Sequence, residues 1–119
     1  MSQQDPKIEA LVEKLFALTR GYKHEYVTLE HLLAVLLETT EVQDILYDIE
    51  KDPKIIRDNI IHYLENEVDS LIVDEEFQPK KTVMLERVFN RAFTQALFNG
   101  RNTLDPRDLL ISILTEEQS

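Results

Sequence analysis

Residues 8–38 and 85–115 align without a gap at a constant offset of 77, and both members of the pair are apolar at eleven of the 31 aligned positions. Chance pairing at this hydrophobic content would give roughly six. The matched pairs Ile8/Leu85, Leu11/Val88, Val12/Phe89, Leu15/Ala92 and Phe16/Phe93 fall at i, i+3, i+4, i+7 and i+8, which is one face of an amphipathic helix. A polar connector of equal length follows in both copies. Then come Val27/Leu104 and the runs 32–37 and 109–114, so each copy reads as helix, short loop, helix. The pattern predicts an all-α, pseudo-twofold duplicated helical bundle that presents a recognition surface.

A chain of 119 residues buries roughly two-thirds of its unfolded surface, enough for one real core. With no Cys, neither a disulfide scaffold nor a zinc–thiolate site can be built. Charged residues punctuate the first twenty positions, and no uncharged apolar run reaches the length of a signal peptide core or a membrane span. A cytoplasmic, untargeted protein is expected. The net charge of −10 opposes nucleic-acid binding, because a duplex-binding surface must replace phosphate counterions with Lys and Arg.

Helix starts are marked by Asp5-Pro6, Asp52-Pro53 and Asp105-Pro106, each placing a carboxylate at N-cap and Pro at N1. Thr40-Glu41-Val42-Gln43 reads as a capping box, and Thr28 and Thr82 as simple caps. Six helices follow, near 6–20, 28–38, 41–49, 53–68, 82–98 and 105–116. The fourth carries Ile56, Ile60, Tyr63, Leu64 and Val68 on one face, flanked by Ile55 and Ile61, and reads as a core helix. Acidic and Pro/Lys-rich residues 69–81 read as an exposed connector, with Leu71, Ile72, Val73 and Phe77 as the positions able to pack back. The expected organisation is one domain over 1–119: a first repeat over about 6–68, the connector, and a partial second repeat over 82–119.

The segment His24-Glu25-Tyr26-Val27-Thr28-Leu29-Glu30-His31-Leu32-Leu33 resembles the H-E-[FY]-[VM]-T-x-E-H-L-L block of the N-terminal domain of the Clp AAA+ unfoldases, most closely the ClpA branch. Arg87-Val88-Phe89-Asn90-Arg91-Ala92 followed by Gly100-Arg101-Asn102 is similar to the second repeat of that family. The resemblance covers nearly the whole chain. It implies a bundle of two four-helix repeats that recruits adaptors and substrates for an ATP-driven unfolding ring and its protease partner. On that pattern the chain ends just after the second helix of the second repeat, so counterparts of helices 41–49 and 53–68 are missing there. Apolar surface would then be open to pairing of two copies, to rearrangement or to a partner.

By the same resemblance, Glu25, Thr82, Arg87 and Arg91 are the expected contacts for a ClpS-like adaptor, with Glu25 as acceptor, Thr82 as a hydroxyl contact and the two Arg residues as donors. Glu30 is the candidate substrate-docking carboxylate, since one branch of the family reads phosphoarginine with two acids. Its counterpart here is Arg107, which reverses the charge. Each residue also admits a structural role: Glu25 as a solvated loop acid, Thr82 as a cap, Arg87 and Arg91 as an i, i+4 pair. His31, in the first turn of a helix, reads as a satisfied structural imidazole.

Zinc chemistry at His24, Glu25, Glu30 and His31 fails on spacing. The metalloprotease signature H-E-x-x-H needs a second His where Thr28 stands, and His24 and His31 are divided between loop and helix. With only Gly21 and Gly100, no P-loop can be assembled. No cofactor, no metal and no catalytic residue are expected. The alternative to a docking module is a free-standing regulator that mimics the unfoldase domain, binding its adaptor or oligomerising through the second repeat.

Overall fold

Proline and the residue before it set where helices begin. Asp52 Oδ1 accepts from Lys54 N at 2.9 Å with Pro53 in the first helical position, and Asp105 Oδ1 accepts from Arg107 N at 2.8 Å ahead of Pro106. The computed structural model describes residues 6–70 and 76–117, so the expected cap at Asp5 and the packing of Leu71, Ile72 and Val73 lie outside the described residues. The element order is α1 (Pro6–Gly21), β1 (Tyr26–Val27), α2 (Leu29–Leu36), α3 (Thr40–Asp48), α4 (Pro53–Asn66), β2 (Lys80–Lys81), α5 (Val83–Phe98) and α6 (Pro106–Glu117).

The offset of 77 carries into three dimensions. It maps the first residue of α1 onto that of α5 and the first residue of α2 onto that of α6, and α1 and α5 are both 16 residues long. Burial follows the same register: Ile8/Leu85, Leu11/Val88, Leu15/Ala92, Val27/Leu104, Leu32/Leu109 and Leu36/Ile113 are buried in both members. Val12/Phe89 and Phe16/Phe93 are half-buried in both, packed against the same core. At about 2 kcal/mol for a buried Leu-sized side chain, this shared stripe is the main force holding the two helical pairs together.

Two expectations are corrected. The third helix is capped by Thr39, whose hydroxyl accepts from Val42 N at 3.3 Å and donates to Leu36 O at 2.7 Å. Thr40 is therefore the first helical residue, and its hydroxyl goes to Glu41 at 3.3 Å. Two adjacent threonines offer the same chemistry, and the carbonyl of Leu36 decides between them.

The fourth helix is a cover, not a core helix. Only Pro53 and Leu64 are buried along it; Ile56, Ile60 and Ile61 are half-buried, Ile55 and Tyr63 are exposed, and Val68 lies past the end at Asn66. It packs on one side, against α2 and α3, so its other face meets solvent. Arg57 fixes it there, donating from Nε to Ala34 O at 3.1 Å and pairing with Glu38.

That cover marks where the two pairs diverge. Ala34 and Leu37 are buried in the first pair, whereas their counterparts Ile111 and Leu114 are 59% and 49% exposed. Among the described residues, no helix is long and apolar enough to cross a membrane.

Candidate interaction site

The loop after α1 closes with a Schellman motif: Lys23 N donates to Arg20 O at 2.9 Å and His24 N to Thr19 O at 3.1 Å, with Lys23 at φ 60°. This turn aims the chain back across the start of α2. His24 becomes buried there, and Glu25 follows at the half-buried edge. The carbonyl of Glu25 accepts from Lys80 N at 2.9 Å, and Val27 O accepts from Thr82 N at 3.3 Å. These bonds flank a two-residue parallel ladder in which Tyr26 pairs with Lys80 and Val27 with Lys81. The Glu25 loop is thereby held beside the N-terminus of α5.

Thr82 joins the two segments. Its hydroxyl accepts from Leu85 N at 3.1 Å as the N-cap of α5 and donates to Val27 O at 3.1 Å. Its proton is committed inside the protein, leaving acceptor capacity alone for a partner.

Arg87 and Arg91 follow on one face of α5 and converge on Glu116 of α6. Arg87 Nη1 and Arg91 Nη2 each donate to that carboxylate at 2.7 Å, and Arg91 Nη1 also donates to Ser112 O at 2.9 Å. The two guanidiniums hold the Glu116 carboxyl below its ordinary pKa, Arg91 contributing most. Their exposure separates their roles, since the Arg87 side chain is 52% exposed and that of Arg91 26%. Arg91 is an anchor between helices; Arg87 is the more exposed of the two at the open groove that both line with Val83, Glu86 and Asn90.

Glu30 is exposed in the first turn of α2, where the helix dipole favours an acid. Among the described residues, the equivalent position offers it no second acid. At the equivalent position Arg107 is tied back to Asp105 at 2.8 and 3.1 Å.

His24 and His31 meet despite their separation in sequence. His24 Nδ1 lies 2.8 Å from His31 Nε2, with both rings buried. His31 also takes the place of the usual Glu in a reciprocal cap, accepting from Thr28 N at 3.0 Å through Nδ1. Burial pushes its pKa down to about 4, with the neighbouring His24 adding to the effect. Burial likewise lowers the pKa of His24, against hydrogen bonds to the backbone of Val68 and Leu64. Among the described residues, no three His, Cys, Asp or Glu side chains converge to hold a metal ion.

Residues 5–119 match the Clp repeat (R) N-terminal domain. The chain belongs to this family. It is 23% identical over 113 residues to the ClpA homolog protein of Fuscovulum blasticum, and 29% identical over 114 residues to the chaperone protein ClpB of Chlamydia pneumoniae. Each alignment covers 94% of this chain but only 14% and 13% of those proteins, respectively.

Solved structures agree on the fold. The Hsp104 N-terminal domain from Candida albicans matches with a TM-score of 0.82 at 11% identity, over 99% of this chain and 77% of that one. The N-terminal domain of the ClpV1 ATPase from E. coli EAEC matches with a TM-score of 0.78 at 21% identity, over 92% of this chain and 66% of that one. Clp N-terminal domains are protein-interaction domains of AAA+ unfoldases related to ClpA, ClpB and ClpV.

Three elements of this region are not legible from local sequence. The β1–β2 ladder is too short for an alternating pattern to show. Glu116 lies 25 residues from Arg91, with only its own charge as a signal. The partnership of His24 with His31 was signalled by their shared presence in the motif, but their division between loop and helix argued the other way.

Proposed function

We propose that the chain is a docking module of a Clp-type unfoldase that recruits a ClpS-like adaptor. The observation that carries this reading is the ladder joining the Glu25 loop to Lys80, Lys81 and the cap of α5. It sets a half-buried acid and the half-exposed guanidinium of Arg87 on segments that share a rigid frame. In this reading Glu25 accepts from the adaptor, Arg87 donates to it, Thr82 accepts at the rim, and Arg91 supports Arg87 by sharing Glu116. Unfolding substrates would be a second cargo, served by the groove between α1 and α5, which Val12, Leu15, Phe16, Leu85 and Phe89 line together with Lys81, Glu86 and Asn90. The repeat boundaries at about 6–68 and 82–119, joined by a 69–81 connector, belong to the same reading.

Recruitment of this kind needs no reactive centre and no cofactor. A partner held near the pore of an unfolding ring engages it at a raised effective concentration, which does the work that new chemistry would otherwise have to do. Titrating a labelled ClpS-like adaptor against the chain tests the assignment. Glu25→Lys is expected to weaken binding by about 1–3 kcal/mol, the range for a charged interface contact. Unchanged affinity would remove Glu25 from the surface.

A second reading, a free-standing regulator that oligomerises, draws support from the exposure of Ile111 and Leu114, whose counterparts Ala34 and Leu37 are buried. Light scattering of the intact chain, compared with the Ile111→Asp variant, separates the two readings. A concentration-dependent dimer abolished by that change would favour oligomerisation, and a monomer in both would favour docking alone.

A further inference from the structure

The two loops are closed at equivalent positions by different chemistry. In the second loop Arg101 donates to both carboxylate oxygens of Asp108 at 2.7 and 2.8 Å, and Asp108 also accepts from Asp105 N at 2.9 Å. Subtracting 77 from 101, 105 and 108 gives 24, 28 and 31. The first loop makes the same pair of contacts with His24, Thr28 and His31, and with no formal charge.

Hydrogen bonding fixes the proton positions. Thr28 N–H can only donate, so His31 Nδ1 is bare and its proton sits on Nε2. That proton points at His24 Nδ1, which must accept. His24 then carries its own proton on Nε2. The result is a one-way relay from the N-cap of α2 through two neutral rings.

A further proton breaks it. Added to either bare nitrogen, it sets two N–H donors against each other inside a buried site. Tyr22 stacks on His24 at 5.3 Å, and its hydroxyl goes to Glu65 of α4 at 3.5 Å, with Arg57 on the same helix. The Thr28 hydroxyl, 2.8 Å from His31 Nδ1, can turn to accept a proton placed there, but the Thr28 N–H, 3.0 Å from the same nitrogen, would still oppose it.

We propose that His24 and His31 form an acid-releasable clamp that positions the Glu25 loop for docking, an inference that rests on the docking role given above. Glu25 follows His24 directly, and its carbonyl holds Lys80 N. Opening the clamp therefore frees both the acid and its ladder. The second loop is an internal control, because Arg101 holds the Asp108 carboxyl below its ordinary range and that pair stays charged through mild acid.

Amide hydrogen exchange on the intact chain, corrected for intrinsic rates, reads the clamp without any partner. The amides of Lys80 and Thr82 should lose protection by about twentyfold between pH 7 and 5, the factor expected when one imidazole titrates essentially only in the open form. The amides of Gly100 and Arg101, bonded to Leu97 O and Ala96 O in the control loop, should hold theirs. Equal loss in both loops, or loss in neither, overturns the clamp. His24→Asn, whose carboxamide can accept from one side and donate to the other, should keep neutral-pH protection and show a weaker acid response. If the loop opens but a ClpS-like adaptor binds equally well at pH 7 and 5.5, the clamp exists without positioning the docking surface, and the proposal fails.

Discussion

Lys23 and Gly100 stand 77 residues apart and share a left-handed backbone, with φ of 60° and 79°. Each occupies the C′ position of a Schellman motif with the same two hydrogen bonds, Lys23 N and His24 N in one loop answering to Gly100 N and Arg101 N in the other. The duplication thus extends beyond apolar spacing to the torsion angles of the turn.

Only one of these positions carries the residue its geometry favours. A side chain at positive φ costs about 1 kcal/mol or more, and glycine removes that cost. Lys23→Gly is therefore expected to stabilise the fold by up to about 1 kcal/mol, and Gly100→Ala to destabilise it by a similar amount. Nothing lies within 4 Å of an added Cβ at Gly100, so the penalty there is conformational alone. Urea denaturation midpoints of the two variants, moving in opposite directions, check this.

Thr82 combines a helix cap with a bond to the neighbouring strand. Thr82→Ala should cost about 1–2 kcal/mol, the upper range for a lost cap, while Thr82→Ser should recover most of it because the hydroxyl is retained. Alanine as stable as the parent would show that neither hydrogen bond matters.

The imidazole pair sets the acid response. The folded pKa of His31 is about 4 against an ordinary 6.5, and that of His24 is also lowered. Above pH 6.5 both are neutral in either state and contribute nothing. As pH falls through 6.5 the unfolded chain takes up protons that the folded chain refuses, so stability declines, levelling for His31 near pH 4. The loss from His31 should be roughly 2–3 kcal/mol. The lowered carboxylates of Glu41, Asp105, Asp108 and Glu116 act in a separate, lower window: their stabilisation is present above the ordinary carboxylate pKa and is lost below it. Chemical denaturation at pH 7.5, 6 and 5 should show the decline; a flat profile would contradict buried neutral rings.

Arg91 is expected to matter for folding more than for contact. Arg91→Met removes the Ser112 bond and one of two guanidiniums at the buried Glu116 carboxylate, so the melting temperature should drop. Arg87→Met, at the more exposed partner, should lower it less while weakening adaptor binding more. The reverse order would exchange the roles assigned to the two residues.

Helix positions were legible because their signals are local. Proline at 53 and 106 fixes two starts, the i, i+3, i+4 spacing fixes the buried faces of α1 and α5, and observed boundaries depart from expectation by two residues at most. What escaped depends on geometry across the chain. The isoleucines of α4 look like a core stripe, yet a helix at the edge of the bundle has neighbours on only one side, here α2 and α3. His24 and His31 look divided until the turn at Lys23 brings one over the other. The charge of Arg91 looks available until Glu116 arrives from α6.

The claim on which the account turns is that the Glu25 loop and the start of α5 form one docking surface. Mapping the shift of backbone amide resonances as an unlabelled ClpS-like adaptor is added tests it most directly. The predicted footprint covers Glu25, Lys80–Thr82 and Arg87, and shrinks with Glu25→Lys. A footprint centred on α3 and α4 around Tyr47 and Ile55, or no shifts at saturating adaptor, would contradict it.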